Sequence, residues 1–297
     1  MVTPEEPMMT IGQLQMKIGR RLTGAGLPDG RREAAQLIAY YLETDPSICY
    51  TKPDLLIQDH LVDAIGLAAD RRAAREPMAY ITGGTWFMGN HFTVGPGVLI
   101  PRPDSEVLVE QALSLAGDRL SGRLKVIDAC TGSGCIGISI GLHLSRHDRL
   151  EQLMLTEIDP IAARYARLNL QKYALTVRAG LEMLDLLPDQ TDGLWHLIVS
   201  NPPYIASSSI EHLMPEVRDY EPRRALAGGL DGLLFIRRLI KEAASLLYPG
   251  GVILLEHGFD QGEAVYHLFQ AHGEYEPLPT VRDYGGQPRV SGGIKRI

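Results

Sequence analysis

The chain has 297 residues, of which 45% are hydrophobic, enough to form a substantial core in one large or two modest domains. With 29 Lys and Arg against 36 Asp and Glu, its formal net charge is −7, so duplex nucleic acid is a disfavoured partner. The three cysteines form no CxxC pair, which argues against structural zinc and disulfides and fits a reducing, cytoplasmic setting. No apolar stretch reaches the roughly 18 to 20 residues that a membrane span needs.

Two regions precede the longest part of the chain. Residues 10–75 carry apolar side chains at helical spacing, interrupted by breaks that contain glycine and proline. We therefore predict a small helical domain over residues 1–79. Glycine pairs then separate short runs of aromatic and β-branched residues, which is typical of a hairpin. We predict a β-hairpin linker over residues 80–103.

In residues 104–297, short apolar strands alternate with helical segments through to the end of the sequence. The predicted strands lie at 125–127, 153–155, 197–199 and 251–255, and the predicted helices lie near 104–117, 134–146, 160–172 and 231–247. This order is typical of a mostly parallel, doubly wound sheet with helices on both faces. We predict a Rossmann-like α/β domain, in which ligands bind at the carboxyl ends of the strands.

A glycine-rich turn follows the first predicted strand and begins the next helix. Its small residues, Asp-Ala-Cys-Thr-Gly-Ser-Gly at 128–134, let the backbone turn tightly where open α/β sheets bind ligands. We expect backbone N–H groups at the helix start to face a carboxylate or phosphate of the ligand. A turn without a ligand is the alternative. The candidate cofactor-binding residues here are Asp128, Cys130, Thr131, Gly132, Ser133 and Gly134.

The second predicted strand ends in an acid, Glu157. A carboxylate at this place can accept hydrogen bonds from both ribose hydroxyls of an adenosine, and a solvated acid is the alternative. Asp159 precedes Pro160, so helix capping explains it without a ligand. The turn also has the GxGxxG spacing up to Gly137, which leaves a nicotinamide dinucleotide site open at this point.

The most specific motif follows the third predicted strand and consists of Asn201, Pro202, Pro203 and Tyr204. Two successive prolines remove two backbone donors, so the loop presents carbonyl acceptors, and the Asn201 side-chain oxygen adds another. Such acceptors can hold the two N–H bonds of a planar amino or amide group, on which Tyr204 can stack. The alternative is a simple turn, since Asn-Pro and Pro-Pro are common turn formers.

An adenosine site beside a loop that holds a planar nitrogen favours methyl transfer from S-adenosylmethionine over dinucleotide chemistry. A sulfonium methyl group is already activated, so we expect no metal and no strong general base. The protein then holds nitrogen, carbon and sulfur in line, which supplies on the order of 7 to 11 kcal/mol in favourable cases. Accepted hydrogen bonds also stabilise the positive charge that develops on nitrogen. We predict Asn201, Pro202 and Tyr204 as catalytic residues, Pro203 as a further substrate contact, and Asn201 as a cofactor contact.

The chain resembles the HemK/PrmC-type glutamine methyltransferases of peptide-chain release factors over nearly its whole length. The similar segments are 100–106, 128–134, 201–204, 217–222, 255–258 and 282–290. Cys130 stands where many relatives have glycine, and Glu157 stands where most have aspartate.

The resemblance implies a seven-stranded S-adenosylmethionine-dependent methyltransferase domain and an N-terminal domain that helps to recruit the substrate. It also implies that Asn201 and the Pro202 carbonyl hold the side-chain amide (N5) of the glutamine in a Gly-Gly-Gln motif, while Tyr204 packs against it. Arg102 and Asp104 either contact the methionine end of the cofactor or form ion pairs that secure the linker.

Three other functions stay open. Enzymes that methylate a glutamine of a ribosomal protein have a similar glycine-rich turn, although the C-terminal matches favour the release-factor branch. An adenine-N6 DNA methyltransferase acts on the same planar –NH2 group after base flipping, but the net charge counts against it. A binding module without turnover is the third alternative. We expect a monomer with a release factor as partner and no direct nucleic-acid contact.

Overall fold

The computed structural model describes residues 9–189 and 193–297, and its contacts divide the chain into two compact units, Met1–Gly83 and Gly84–Ile297. The described part of the first unit contains the helices α1 (Ile11–Gly24), α2 (Gly30–Tyr41), α3 (Ile48–Thr51), α4 (Asp59–Ala73) and α5 (Met78–Thr82). No helix in either described range is long and apolar enough to cross a bilayer. The helical prediction for the first part of the chain is confirmed.

Helix α1 begins at a reciprocal cap. The Thr10 hydroxyl accepts a hydrogen bond from the Gln13 N–H at 3.2 Å, and the Gln13 side-chain oxygen accepts one from the Thr10 N–H at 2.9 Å. The apolar face that this cap precedes, including Ile11, Leu14 and Ile18, is buried in the core of the first unit. Local capping and the apolar pattern therefore agree on where the helix lies.

The second unit begins with a hairpin of two antiparallel strands, β1 (Gly84–Phe87) and β2 (Asn90–Thr93). Met88 and Gly89 form its turn with φ values of 49° and 68°. Positive φ at both turn residues gives the backbone twist that two-residue hairpins prefer. The predicted hairpin is confirmed.

The remaining elements form a seven-stranded mixed sheet with helices. They are a 3₁₀ helix at Pro103–Ser105, α6 (Glu106–Asp118), β3 (Leu124–Ala129), α7 (Cys135–Arg146), β4 (Leu150–Glu157), α8 (Pro160–Lys172), β5 (Ala179–Met183), β6 (Trp195–Ser200), a 3₁₀ helix at Ser207–His212, α9 (Pro215–Arg218), α10 (Arg223–Leu226), α11 (Leu234–Ala243), β7 (Leu247–Glu256), α12 (Gly262–His272), β8 (Tyr275–Arg282) and β9 (Pro288–Lys295). The strand order is β5-β4-β3-β6-β7-β9-β8. The five strands β5, β4, β3, β6 and β7 are each parallel to their neighbours among these five. Strand β9 is antiparallel to both β7 and β8.

Both faces of the sheet are buried. On β3, Val126 belongs to the core that includes α6 and α7, whereas its neighbour Ile127 belongs to the core that includes α11. Strands buried on both faces have continuous apolar runs, which is why four of them were visible in the sequence. The α/β fold, doubly wound and mostly parallel, is confirmed.

The predicted alternation of strands and helices is wrong at the C-terminal end, where β8 and β9 form an antiparallel hairpin. Prolines interrupt β8, and Gly292 and Gly293 interrupt β9, so neither segment has a normal strand composition. Strand β5, whose sequence is Ala-Gly-Leu-Glu-Met, was not predicted for the same reason. Helix α11 is also shorter than the predicted 231–247.

The sheet order determines where a ligand can bind. Strand β3 lies between β4 and β6 in the sheet. The chain first adds β4 and β5 on one side of β3 and then adds β6 and β7 on its other side. Open α/β sheets bind ligands at such a switch point, beyond the carboxyl ends of the strands. The glycine-rich turn, Glu157 and Asn201 all lie there, because they follow or end these three strands.

Gly292 tests the close pairing of β9 with β7. A Cβ atom at this position would lie 2.4 Å from the backbone carbonyl oxygen of Ile253, and backbone cannot move away cheaply. We expect Gly292→Ala to lower the free energy of unfolding by about 1–3 kcal/mol, as measured by urea denaturation. Gly180→Ala in β5 is the matched control, because nothing lies within 4 Å of its Cβ position. Equal stability of the two variants would contradict the prediction.

Candidate active site

A cleft opens at the carboxyl ends of β3, β4 and β6 and encloses about 940 Å³ of empty space, part of it open to solvent. Of the predicted site residues, Cys130, Thr131, Gly132, Ser133, Glu157, Asn201 and Pro203 line this cleft. The others, Asp128, Gly134, Pro202 and Tyr204, do not line it.

Asp128 is fully buried near the end of β3. Its Oδ2 accepts hydrogen bonds from the Thr131 hydroxyl at 2.5 Å and from the Gly137 N–H at 2.9 Å. Burial raises the pKa of this carboxyl to about 7, against the effect of those two donors. Oδ1 has no hydrogen-bond partner in the described part of the chain. Asp128 therefore ties the turn to α7 and keeps one buried acceptor free beside it.

Cys130 adopts a backbone conformation that normally requires glycine. Its φ is 56°, in the left-handed region, where a side chain costs about 1–2 kcal/mol. Glycine, which has no Cβ, would adopt this conformation without that cost. Burial raises the pKa of the Cys130 thiol and raises that of Cys135 to about 12, so both thiols are neutral and neither is an activated nucleophile.

Glu157 is held by three backbone donors. Its Oε1 accepts hydrogen bonds from the N–H groups of Ile158 and Asp159, both at 2.9 Å, and its Oε2 accepts one from the Gly132 N–H at 2.9 Å. Burial raises the pKa of this carboxyl, and the three donors oppose that rise. Asp159 itself accepts from the Ile161 N–H at 2.8 Å and caps α8, which confirms its predicted capping role.

Three N–H groups of the glycine-rich turn and the start of α7 have acceptors in the protein. The two carboxylates just described accept the N–H groups of Gly132 and Gly137, and Thr131 donates its N–H to the Thr156 carbonyl at 3.0 Å. Of these residues only Gly137 belongs to the first turn of α7. The prediction that helix-start N–H groups face a ligand is therefore wrong for Gly137, and it stays a prediction for Cys135 and Ile136, which line the cleft. The N–H groups of Thr131, Gly132 and Gly137 fix the shape of the turn, because buried polar groups need partners.

Asn201 lies half-buried in the cleft wall directly after β6. Its Nδ2 donates a hydrogen bond to the Ser105 hydroxyl oxygen at 3.1 Å. Within the described ranges, neither Asn201 Oδ1 nor the Pro202 carbonyl oxygen accepts a hydrogen bond from the protein. These are the two acceptors that the sequence predicts for a planar –NH2 group.

Tyr204 ends the loop, and its hydroxyl donates a hydrogen bond to Oε1 of Glu256 at 3.2 Å. Glu256 is the last residue of β7 and is only 1% exposed. Burial raises the pKa of this carboxyl to about 7. The Ser105 hydroxyl, the Arg289 charge and the Tyr204 hydroxyl lower that pKa, and Asp104 raises it. A buried acid therefore lies behind the Asn-Pro-Pro-Tyr loop.

Arg102 and Asp104 both have ion-pair partners in the protein. Arg102 pairs with the buried carboxylate of Glu221. Asp104 lies 3.3 Å from the Arg289 guanidinium, which also binds Asp283 at 2.8 Å. The ion-pair interpretation of the sequence applies to both residues, and Arg102 lines the cleft as well.

Sequence reasoning missed several walls of the cleft. They are the segment 97–101, Ser105, Ile158, Leu184, Asp185, Leu186, Pro222, Arg224, Ala225 and Phe235. Asp185 was detectable in principle, because it is an acid just after a strand at the same sheet edge as Glu157. Its strand, β5, was not recognised, so the acid had no structural context.

The chemistry of the cleft fits S-adenosylmethionine. Glu157 offers a fixed carboxylate for ribose hydroxyls, and apolar Ile158 and Leu186 lie beside Asp185, a combination suited to a base with an exocyclic amine. Asp128 keeps an unpartnered buried oxygen next to the turn. One cleft thus combines an anionic end, an apolar wall and the Asn201 loop.

Comparisons with known proteins agree with this geometry. Two family models match the chain: the PrmC N-terminal domain over residues 13–83 and the methyltransferase small domain over residues 104–216. The crystal structure of a methyltransferase from Pyrococcus furiosus has the same fold, with a TM-score of 0.50 and 20% identity, covering 71% of this chain and 91% of that one. The fold and the cleft define an S-adenosylmethionine-dependent methyltransferase.

Proteins of similar sequence show which family of methyltransferases includes this chain. The release factor glutamine methyltransferase of Moorella thermoacetica is 38% identical over 287 residues, 95% of this chain and 97% of its own length. That of Geobacter sulfurreducens is 39% identical over 273 residues, 92% of each chain. That of Clostridium botulinum is 36% identical over 260 residues, 87% of this chain and 89% of its own. The chain belongs to the PrmC family of release factor glutamine methyltransferases, which confirms the resemblance.

The conformation of Cys130 predicts an unusual order of stability. At positive φ, glycine is favoured over alanine, whereas in ordinary strands and helices alanine is favoured. We expect Cys130→Gly to have a free energy of unfolding about 1 kcal/mol higher than Cys130→Ala, as measured by urea denaturation. Both variants lose the same thiol, so their difference isolates the backbone. A more stable alanine variant would show that Cys130 does not keep its left-handed conformation in solution.

The three hydrogen bonds to Glu157 predict how S-adenosylmethionine affinity responds to substitution. Glu157→Gln removes the charge and turns an –NH2 group toward backbone donors, which misplaces the side chain. A charged hydrogen bond is worth about 1.5–3 kcal/mol, so we expect the Kd to rise at least about tenfold in calorimetry. Glu151→Gln, the same substitution near the start of β4, is the control, because the Glu151 side chain is exposed and does not line the cleft. An unchanged Kd for Glu157→Gln would exclude the proposed ribose contact.

Proposed function

We propose that this protein transfers the methyl group of S-adenosylmethionine to the side-chain amide nitrogen (N5) of a glutamine in a peptide-chain release factor. The observation that carries the proposal is the pair of free acceptors, Asn201 Oδ1 and the Pro202 carbonyl oxygen, at the edge of a cleft suited to the cofactor. The family membership supports the choice of a glutamine amide in a release factor. We take this glutamine to lie in a Gly-Gly-Gln motif.

The residues of the cleft have separate parts in holding the cofactor. We assign Glu157 to the ribose hydroxyls, Ile158 and Leu186 to the faces of the adenine, and Asp185 to its exocyclic amine. The turn at 130–134, with Asp128 behind it, would hold the methionine end. When bound, S-adenosylmethionine supplies a methyl group already activated by the sulfonium charge.

The loop then acts on the substrate amide. Asn201 Oδ1 and the Pro202 carbonyl each accept one N–H bond, which fixes the plane of the amide and directs its nitrogen toward the cleft. Those accepted hydrogen bonds also stabilise the positive charge that develops on nitrogen during methyl transfer. The hydrogen bond from its hydroxyl to Glu256 holds Tyr204 in place. We assign its ring to pack against the flat amide. Held this way, the amide loses little further entropy on reaching the transition state.

The names of the relatives support a release factor as the substrate. The expected monomer stays a prediction. A glutamine of a ribosomal protein and an adenine of DNA are alternative substrates for the same loop, because each presents a planar –NH2 group.

Radiolabelled S-adenosylmethionine tests the proposal directly. Incubation with a purified release factor should label one glutamine, identified by mass spectrometry, and should leave ribosomal proteins and adenine-containing DNA unlabelled. Asn201→Ala should lower kcat by about a hundredfold or more, in line with the loss of one preorganised hydrogen-bonding group, while the Kd for S-adenosylmethionine changes little.

Asn90→Ala is the matched control, because Asn90 lies in the β1–β2 hairpin and does not line the cleft. It should keep wild-type turnover. Label on DNA or on ribosomal protein, with none on the release factor, would show that the labelled molecule is the substrate and that the release factor is not. A kcat of Asn201→Ala equal to that of the wild type would show that the Asn201 side chain takes no part in methyl transfer.

A further inference from the structure

The turn between β8 and β9 carries a glutamine that directly follows two glycines. Among the glutamines of the sequence, Gln287 alone has glycine at both preceding positions, Gly285 and Gly286. All three residues are exposed. In the part of the chain that the structure describes, the Gln287 side-chain amide has no hydrogen-bond partner. Another molecule can therefore reach this amide, and the two residues before it have no side chains to obstruct the approach.

Hydrogen bonds hold the backbone of this turn. The Gln287 N–H donates to Asp283 Oδ1 at 2.9 Å, and the Gln287 carbonyl oxygen accepts from the Asp283 N–H at 2.8 Å. The Arg282 guanidinium donates to the Gly286 carbonyl oxygen at 2.8 Å. Gly286 has a φ of 79°, which favours glycine. Because the backbone is already ordered, only the Gln287 side chain loses conformational freedom when it binds, which lowers the cost of binding.

The turn lies at the edge of the sheet where the cleft opens. Strand β9 is antiparallel to β7, and Val290 pairs with Glu256, the last residue of β7. The residues before β9 therefore extend beyond the carboxyl end of β7. Because β7 is parallel to β6, this is also the edge from which the Asn201 loop begins. The turn and the cleft thus share one edge of the sheet.

Within the described ranges, none of the residues from Gly285 to Gln287 lines the cleft of its own chain. The backbone hydrogen bonds keep the turn outside that cleft, so the turn of a second copy is the one that can enter it. Since turn and cleft lie at the same edge, a two-fold axis between two copies can bring each turn to the cleft of the other.

We propose that Gln287 is a methylation site of this enzyme and that a second copy of the chain modifies it. This inference rests on the proposed function, which takes the target glutamine to follow two glycines. Asn201 Oδ1 and the Pro202 carbonyl of one copy accept the N–H bonds of the Gln287 amide of the other. The amide nitrogen then forms a bond to the methyl carbon and releases one proton to water. The carbon–sulfur bond of the sulfonium breaks, which leaves S-adenosylhomocysteine.

Mass spectrometry of the full chain tests the proposal without any other protein. After incubation with S-adenosylmethionine, the peptide that contains Gln287 should carry one additional methyl group. Gln171 is the internal control, because it is also exposed but lies on α8 and follows a leucine. Gln287→Ala should lose the methylation, and Gln171→Ala should keep it. An unmodified Gln287 in the wild type, or equal methylation of Gln171, would overturn the proposal.

A mixture of two variants tests whether the methyl group passes between copies. Asn201→Ala keeps the acceptor Gln287 but should have little turnover. Gln287→Ala should keep its turnover, because the replaced side chain has no partner within the described residues. Asn201→Ala alone should stay almost unmethylated, and addition of Gln287→Ala should methylate its Gln287. A methylated wild type together with an unmethylated mixture would show transfer within one chain and would overturn the proposal.

A parallel reaction with a release factor separates this inference from the proposed function. A wild-type enzyme that methylates the release factor but leaves Gln287 unmodified would overturn self-methylation alone. A methylated Gln287 beside an unmodified release factor would refute the release factor as substrate alone.

Competition tests whether both acceptors use the same cleft. An excess of release factor should slow the methylation of Gln287, because only one glutamine can occupy the Asn201 loop at a time. A rate of Gln287 methylation that does not change at a saturating concentration of release factor would overturn the assignment of Gln287 to this cleft.

Discussion

The parallel pairing of β3 with β4 on one side and β6 on the other is the constraint on which the site depends. It places the ends of three strands side by side, although the residues that follow them are up to about 70 positions apart in the chain. Gly137 makes the arrangement possible, because a Cβ there would lie 2.8 Å from the Asp128 carboxylate. Without this close approach, α7 could not pack against the strand that carries the turn.

Three buried acids surround the cleft, and each is held differently. Asp128 ties the turn to α7, Glu157 is bound by three backbone N–H groups, and Glu256 supports Tyr204. Burial raises the pKa of all three. Buried acids are costly to the fold, so their grouping at one sheet edge indicates a site prepared for function rather than for stability.

The sequence predicted those parts of the fold and site that local patterns determine. The apolar runs of four strands, the Asp159 cap and the Asn201 loop each have a local signature, and each lies where it was expected. Strands β5, β8 and β9 lack such a signature, because glycine or proline interrupts their apolar pattern. Ser105 was also missed, since its hydrogen bond with Asn201 forms only when the start of α6 and the end of β6 meet in the fold.

The position of β9 between β7 and β8 affects how the active site is assembled. Although β9 is the last strand in the sequence, it pairs with β7 up to Glu256 and brings Arg289 near that acid. During synthesis, β7 has an open edge until β9 has emerged, and the acid behind the loop lacks its neighbouring cation. The substrate pocket is therefore complete only after β9 has emerged and paired with β7, well after the residues of the Asn201 loop have been made.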